Sequence, residues 1–423
     1  MAGHIQDRWY KTTTTGPDNK PVKERSDRYG TGLRYRARYI GPDGTEKSKS
    51  FPDGQKRLAE KWLSKTETDM ATGQYIDPSA GKTTFRQYAE KWMKTQTTDL
   101  TTRESVNVQL QRHAIPYLGS RPLGSFKPEH IRDWLSILER AVPASSYRRV
   151  IFSSVSSVLA AAVDDEYLRR NPCQASTVTA PSRSTRRVVP WGTERVFAMR
   201  RGLPEEYRPM VDLGGGCGLR QGEIFGLPVD EVGFDSGWVH VAFQVKVAAG
   251  RLVFAPPKRQ KERDVPLPDS VARALKQHMD MHPPVEVTLP WLRPDGEPVT
   301  KRLFFTRPDG EGAVRRTDFN TRFWKPALVS AGLIPNPLPG ERHSAAREHG
   351  MHALRHFYAS VLLDAGENIK ALSTYLGHTD PGFTLRVYTH LLPSSEGRTR
   401  RAVDKLYDGL AFGPDGPQTA QTL

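Results

Sequence analysis

MHALRHFYASVLLDAG, residues 351–366, and YLGHTDPGFTLRVYTH, residues 375–390, decide how this chain is read. In the first, Leu354, Phe357, Val361 and Leu362 recur at helical spacing and are expected to enter a core. His352 and Arg355 lie three residues apart and so share one helical face. In the second, LGHTD reads as a turn after a helix that exposes His378, and Tyr388 follows ten positions later. Upstream, GLRQGEIFGL (218–227) carries Arg220, with Glu223 three residues on to orient it or to cap a helix. PPKRQKERDVPLP (256–268) puts Lys258 and Lys261 on a basic turn between strands.

Taken singly, each of these residues has an ordinary reading. Arg220 is a surface or salt-bridge arginine, His378 a cap, and Tyr388 a buried structural tyrosine. His356 competes with His352 as the active histidine but lacks its spacing to Arg355. Tyr358 and Tyr375 compete with Tyr388, but both lie in apolar helical patterns and read as core.

As a set they fit one chemistry. A phenol has a pKa near ~10 and is mostly neutral at pH 7. To attack phosphorus it needs a proton acceptor or strongly cationic surroundings. A pentavalent phosphorane concentrates negative charge on its nonbridging oxygens, which guanidinium forks match. Lysine can protonate a leaving 5′-oxygen, and histidines can hold the phosphate or move the phenolic proton. This chemistry requires no metal and no cofactor.

The ordered strings GLRQGE, PPKRQKERDVPLP, HALRH, LGHTD and VYTH resemble the tyrosine recombinase family, particularly phage and mobile-element integrases of high-GC actinobacteria. The resemblance covers about 190–395 and implies Arg220, Lys258, His352, Arg355, His378 and Tyr388 as catalytic residues, with Tyr388 the nucleophile. Lys261 stays open as a substitute for Lys258. The family implies a 3′-phosphotyrosyl intermediate, leaving-group protonation by Lys258, and two strand exchanges through a Holliday junction. It also implies a homotetramer on two double-stranded DNA attachment sites, with a directionality factor and a host DNA-bending protein as candidate helpers. A type IB topoisomerase, a noncatalytic DNA-binding protein and a chromosome-dimer resolvase are the competing readings. The intact set of cations with Tyr388 and the extra N-terminal module favour an integrase.

Bulk properties agree with a polyanionic partner. The 423 residues carry a formal charge of +15, and 423 residues are too many for one core. Two cysteines, Cys173 and Cys217, form no ligand cluster and support no disulfide framework. MAGHIQDRWYKTTTTG lacks an apolar signal segment, and no apolar run is long enough to cross a membrane. A cytoplasmic, DNA-associated protein is expected.

The expected fold class is multidomain. A small N-terminal β-β-β-α arm-binding-like module comes first, then an all-α helical core-binding domain, then a mixed, mainly α catalytic domain. Residues 1–29 read as a flexible N-terminus. In the 30–72 module, GLRYRARYIG (32–41) alternates, with Leu33, Tyr35, Ala37 and Tyr39 on one face and Arg34, Arg36 and Arg38 on the other. GPDG marks a turn, KSKSF resumes the alternation, and KRLAEKWLSKTETDMATG reads as a helix with Leu58, Ala59, Trp62 and Leu63 inward. The arginine row is a candidate DNA face.

Residues 82–175 read as four helices. FKPEHIRDWLSIL places Pro128 at a helical start, and Val150, Ile151, Val155, Leu159, Ala162 and Val163 face a core. Arg148 and Arg149 are candidate phosphate contacts, as is Arg259 beside Lys258. Residues 176–189 read as a basic linker, 190–395 as the catalytic domain and 334–351 as a surface loop. Residues 396–423 read as a tail whose Val403, Leu406, Tyr407 and Leu410 form a short amphipathic helix that either docks on a neighbouring protomer or folds back on its own domain.

Overall fold

Antiparallel strands β1 (His4–Asp7), β4 (Tyr35–Ile40) and β5 (Glu46–Phe51) form a sheet in the order β1-β4-β5, and β2 (Tyr10–Thr13) pairs with β3 (Val22–Arg25) as a separate hairpin. The computed structural model describes residues 3–13, 22–72, 75, 77, 80–182, 189–378, 380–388, 400, 403, 404 and 407. The chain divides into two units, 1–184 and 185–423.

In the first unit, period-two alternation along β4 buries Tyr35, Ala37 and Tyr39 against helix α1 (Lys56–Ala71) and turns Arg36 and Arg38 to the other face. The segment expected to be a flexible N-terminus is strand instead at 4–7 and 10–13. HIQD has little apolar pattern of its own and is held by pairing with β4, Ile5 opposite Ala37. The third strand of the β-β-β-α module therefore precedes residue 30. Leu33 lies before the strand and is exposed, as is Leu58. The buried stripe of α1 is Ala59, Leu63 and Thr66, and Leu58 sits one helical step outside it.

The helical part of this unit contains α2 (Phe85–Lys94), α3 (Leu100–Gln109), which runs through a π turn into α4 (Ile115–Leu118), α5 (Pro128–Ala141) and α6 (Ser145–Asp164). Thr84 and Gln87 close a capping box at the start of α2, and Pro128 opens α5. Ile131, Trp134 and Leu138 of α5 pack with Ile151, Val155, Val158, Leu159 and Ala162 of α6. Val150 is exposed, since Ile151 takes the inward position of that turn. The first residues of the expected linker are packed, with Val178 in the same core.

The second unit begins with α7 (Thr193–Gly202), α8 (Arg208–Gly216) and the short α9 (Gln221–Phe225). Strands β6 (Val232–Gly233), β7 (Trp238–Val241), β8 (Gln244–Ala248), β9 (Arg251–Ala255) and β10 (Arg263–Pro266) follow, as a β10-β7-β6 sheet and a β8-β9 hairpin. Helix α10 (Asp269–Met281), the hairpin β11 (Val285–Pro290) with β12 (Pro298–Leu303), and helices α11 (Arg316–Phe319) and α12 (Lys325–Ser330) lead to α13 (His352–Asp364), α14 (Ile369–Tyr375) and α15 (Pro381–Tyr388). Leu213 and Leu354 lie in one core with Leu372, Leu376 and Tyr388. Gly218, at φ +64°, ends the α8 segment where an added Cβ would fall 2.4 Å from the Tyr358 ring. Val361, expected in the core, is exposed, although it shares a helical face with the buried Leu354 two turns earlier. In the tail, Val403 and Tyr407 are exposed, while Leu406 and Leu410 lie outside the described residues. Among the described residues, no helix is long and apolar enough to cross a membrane.

Candidate active site

The turn between α14 and α15 is the organising feature. Gly377, at φ +58°, bends the chain, and the carbonyls left free at the C-terminal end of α14 and in the turn after it then meet four cations. Arg263 Nε donates to Tyr375 O at 2.7 Å, and Arg355 Nη2 donates to Leu376 O. Arg220 Nη2 donates to Leu376 O and Gly377 O at 3.1 and 3.4 Å, and Lys261 Nζ donates to His378 O at 2.8 Å. A second anchor fixes Arg355, whose Nη1 donates to Gly218 O at 2.7 Å.

One carboxylate serves the cluster. Glu223, 1% exposed, accepts from Arg220 Nη1 at 2.8 Å and from Arg263 Nη1 and Nη2 at 3.1 and 2.6 Å. It also caps α9 by accepting from the Arg220 backbone at 2.8 Å. Burial works to raise its pKa, but Arg263, Arg220 and Arg355 together hold it down to about 2. Arg355 is itself 1% exposed, and burial followed by repulsion from Arg220 lowers it to about 9, so it stays charged at pH 7.

The imidazoles are neutral. Loss of hydration, followed by the charge of the surrounding cations, lowers His378 to about 3 and His356 to about 4. Loss of hydration also lowers His352 to about 3, since its ring lies against that of His356 although the residue sits at the exposed edge. His378 Nε2 lies 3.3 Å from Arg355 Nη2, and its Nδ1 lies 2.7 Å from Thr384 Oγ1. A guanidinium only donates, so Nε2 accepts and Nδ1–H donates to Thr384. The Tyr388 phenol, 2% exposed, lies 2.7 Å from His356 Nδ1. Burial raises its pKa to about 12 against the pull of Arg355 and Arg220.

The structure thus brings Arg220, His352, Arg355, His378 and Tyr388 into one cluster, in which Arg355 and Tyr388 are buried, Arg220 and His378 half-buried and His352 at the exposed edge. Lys258 lies on the exposed turn after β9, close enough for its charge to lower His352. That turn holds Arg259 and Gln260 at positive φ, an uncommon state for residues with side chains. Lys261 is tied to the His378 carbonyl, whereas Lys258 faces solvent.

Sequence reasoning passed over Arg263 and Thr384 and set His356 aside. The alternation of KERDVPLP would have turned Arg263 inward, and the i, i+4 spacing of His352 and His356 places both on one face. No pattern in the sequence marks Thr384.

The other candidate DNA contacts are spread over the first unit. Arg34 is paired with Asp7 and Asp53 at 2.9 Å each and stacks on Trp9, Tyr10 and Tyr35. Arg36 donates to Ser48 Oγ, and Arg38 pairs with Glu46. Arg36 and Arg38, with Arg8, Lys11 and Arg28, line an open hollow of about 720 Å³. Arg148 bonds the Val142 and Pro143 carbonyls and Glu139, and Arg149 bonds Pro181 O.

The fold that carries this cluster is tyrosine recombinase-like. The sequence matches the phage integrase family over residues 194–395 and the phage integrase N-terminal SAM-like domain over 84–138. It is 24% identical over 396 residues to a putative prophage phiRv2 integrase of Mycobacterium tuberculosis, covering 92% of this chain and 96% of that protein. The fold is similar to that of the Tn1549 transposon integrase solved with a circular intermediate DNA (TM-score 0.60, 20% identity, 77% of this chain and 99% of that one). It is also similar to lambda integrase solved as a tetramer on a Holliday junction (TM-score 0.53, 14% identity, 82% and 93%). Together these matches place the chain in the phage integrase/tyrosine recombinase superfamily. Its β-rich N-terminal domain, helical core and mixed α/β catalytic domain follow the integrase architecture.

Proposed function

We propose that this protein is a site-specific recombinase that integrates and excises a phage or mobile element through a 3′-phosphotyrosine intermediate. One observation carries the reading. The buried Tyr388 phenol shares a cluster with Arg220 and Arg355, which three backbone carbonyls hold in place while Glu223 accepts from Arg220 alone of the two. Guanidiniums fixed on neutral carbonyls keep their charge for an incoming anion and supply it without reorganisation.

In this reading Tyr388 attacks the scissile phosphate while Arg220 and Arg355 hold its nonbridging oxygens, assisted by His352 and His378. Lys258 protonates the departing 5′-oxygen. Its solvent-facing turn can close on DNA, while Lys261 holds the His378 loop. The 5′-hydroxyl of a partner strand then attacks the phosphotyrosine, which conserves the bond energy. Two such exchanges on paired attachment sites call for four protomers, and the lambda integrase tetramer on a Holliday junction supports that assembly. The likeness to the prophage protein of Mycobacterium tuberculosis supports a mobile-element origin in a related host. Residues 4–72 are assigned to arm-type DNA, 80–182 to the core site and 189–388 to cleavage, in a cytoplasmic, DNA-associated protein. A directionality factor and a host DNA-bending protein are its candidate helpers.

The test is a nicked suicide duplex carrying the candidate core site, incubated with wild type and Tyr388→Phe in EDTA and run on a denaturing gel. A covalent adduct with wild type alone is the expected result. Binding without any adduct would reduce the protein to a DNA binder.

A further inference from the structure

The Tyr388 phenol does not meet either histidine of the motif reading directly. Its partner is His356, the residue after Arg355, whose Nδ1 lies 2.7 Å from the phenolic oxygen with ring centroids 5.6 Å apart. His352 lies edge-on to the same imidazole, with centroids 4.6 Å apart. His356 therefore touches both the proposed nucleophile and the first histidine of H-x-x-R.

We infer that His356 is a catalytic residue of the recombinase reading, the group that holds the Tyr388 phenol and accepts its proton as the oxygen attacks phosphorus. The inference rests on that reading and adds the proton acceptor it left open among several histidines.

The hydrogen-bond direction follows from chemistry. Burial holds the phenol up to about 12, so its proton is present and needs an acceptor. Burial and then Arg355 hold the imidazole down to about 4, so it is neutral and its Nδ1 can accept. The ring proton then sits on Nε2. A phosphodiester docked on Arg355 would offset the repulsion that depresses His356, strengthening the base when substrate arrives. In the step, the Tyr388 O–P bond forms and the P–O5′ bond breaks. The phenolic proton passes to His356 Nδ1, and the leaving 5′-oxygen takes a proton from Lys258. Rejoining reverses each transfer, and His356 returns the proton to the departing phenolate.

The experiment is single-turnover cleavage of the nicked core-site duplex, made with either oxygen or bridging sulfur at the scissile 5′-position. Wild type, His356→Gln, His356→Ala and Lys258→Ala are compared, with DNA binding and melting temperature measured for each. A thiolate leaves without a proton, so sulfur should restore Lys258→Ala. The His356 variants should stay slow on both substrates, by about 10²-fold or more. Site-specific fluorotyrosine at position 388, a more acidic phenol, should recover part of the loss in His356→Gln. His356→Gln is close in size and keeps an acceptor for the buried phenol, so it can be read alone if the alanine variant melts early. A folded His356→Gln that cleaves within threefold of wild type overturns the inference, and so does a loss on oxygen that sulfur restores. Wild type giving no Tyr388-dependent adduct would instead sink the recombinase reading itself.

Discussion

Two sets of arginines in this molecule are held in opposite ways. On the sheet of the first unit, Arg34 is matched by Asp7 and Asp53, and Arg38 by Glu46. In the second unit, Arg220 and Arg263 share one carboxylate, Glu223, Arg355 bonds no carboxylate, and all three rest donors on backbone carbonyls. The titrations diverge accordingly. Hydrogen bonding to Asp7 pushes the Arg34 pKa further up, while burial pushes Arg355 down to about 9. A cation neutralised by its own acid has little left for a phosphate. A cation held by carbonyls is oriented without being neutralised, so excess positive charge is stored where an anion is to be bound.

The sharpest way to break this contrast is at Arg263. Its side chain and that of Glu223 are 1% and 0% exposed, so Arg263→Met leaves a buried carboxylate with Arg220 as its remaining charge partner. Removing one partner of such a pair costs about 3–5 kcal/mol. Denaturant unfolding of the second unit should show that loss. The double variant Arg263→Met/Glu223→Met should regain most of the stability, because an apolar pair can replace a buried ion pair. It should not regain cleavage, since Arg220 would then lack the carboxylate that orients it. Recovery of both properties together would mean that Glu223 has no part in placing Arg220.

Arg355→Lys tests whether orientation by carbonyls matters beyond charge. One ammonium does not span Gly218 O and Leu376 O as the guanidinium does. Cleavage of the suicide duplex should fall about 10²–10³-fold. Binding in a gel shift should stay within a few-fold, because affinity is spread over many phosphate contacts. A parallel loss of binding would show that Arg355 acts mainly as an anchor for DNA.

The contrast was only half legible in the sequence. Alternation in 32–41 located the arginine row, and H-x-x-R with LGHTD located most of the cluster, because both signals are periodic and local. What the row pairs with was not legible. Asp7 lies in a segment without apolar pattern, and β1 exists only through its ladder with β4. Arg263 and Thr384 escaped for a similar reason. Their partners lie at Glu223, Tyr375 and His378, brought near by the fold rather than by spacing. Val150 and Leu58 are apolar but lie one helical step from the stripe that packs, whereas Val361 shares a face with the buried Leu354 and spacing alone does not mark it as exposed.

Acid offers a smaller and more selective probe of the cationic pocket. His356 titrates near 4 in the folded chain and ordinarily near 6.5, so between these values the unfolded chain binds the proton first. The contribution of His356 to stability should therefore fall as pH drops below 6.5 and level off under 4. His352 and His378, at about 3, act in the same direction. His356→Gln removes one of these contributions. From pH 6.5 to 5.5 its stability should fall less than that of wild type by about 1 kcal/mol. Equal slopes in the two proteins would place His356 in a more solvated setting than the buried contact with Tyr388 implies.

The smallest effect belongs to the neutralised set, and its smallness is the point. Arg34 keeps about a quarter of its side chain exposed, at 23%, with Asp7 at 26% and Asp53 at 53%. Ion pairs this open to water contribute roughly 0–1 kcal/mol each, and stacking on Trp9, Tyr10 and Tyr35 adds a comparable amount. Arg34→Ala should therefore lower the melting temperature of the first unit by a few degrees at most. It should leave cleavage of a duplex carrying only the core site unchanged. On DNA that also carries arm sites, Arg36→Ala should weaken binding more than Arg34→Ala or Arg38→Ala. Its side chain lines the basic hollow with Arg8, Lys11 and Arg28 and bonds the neutral Ser48 hydroxyl, whereas Arg34 and Arg38 are engaged by carboxylates. Arg36→Ala should also reduce the salt dependence of that binding by about one phosphate contact. If Arg34→Ala proved the most damaging of the three, local neutralisation would not predict which arginines reach DNA, and the distinction between the two sets would fail.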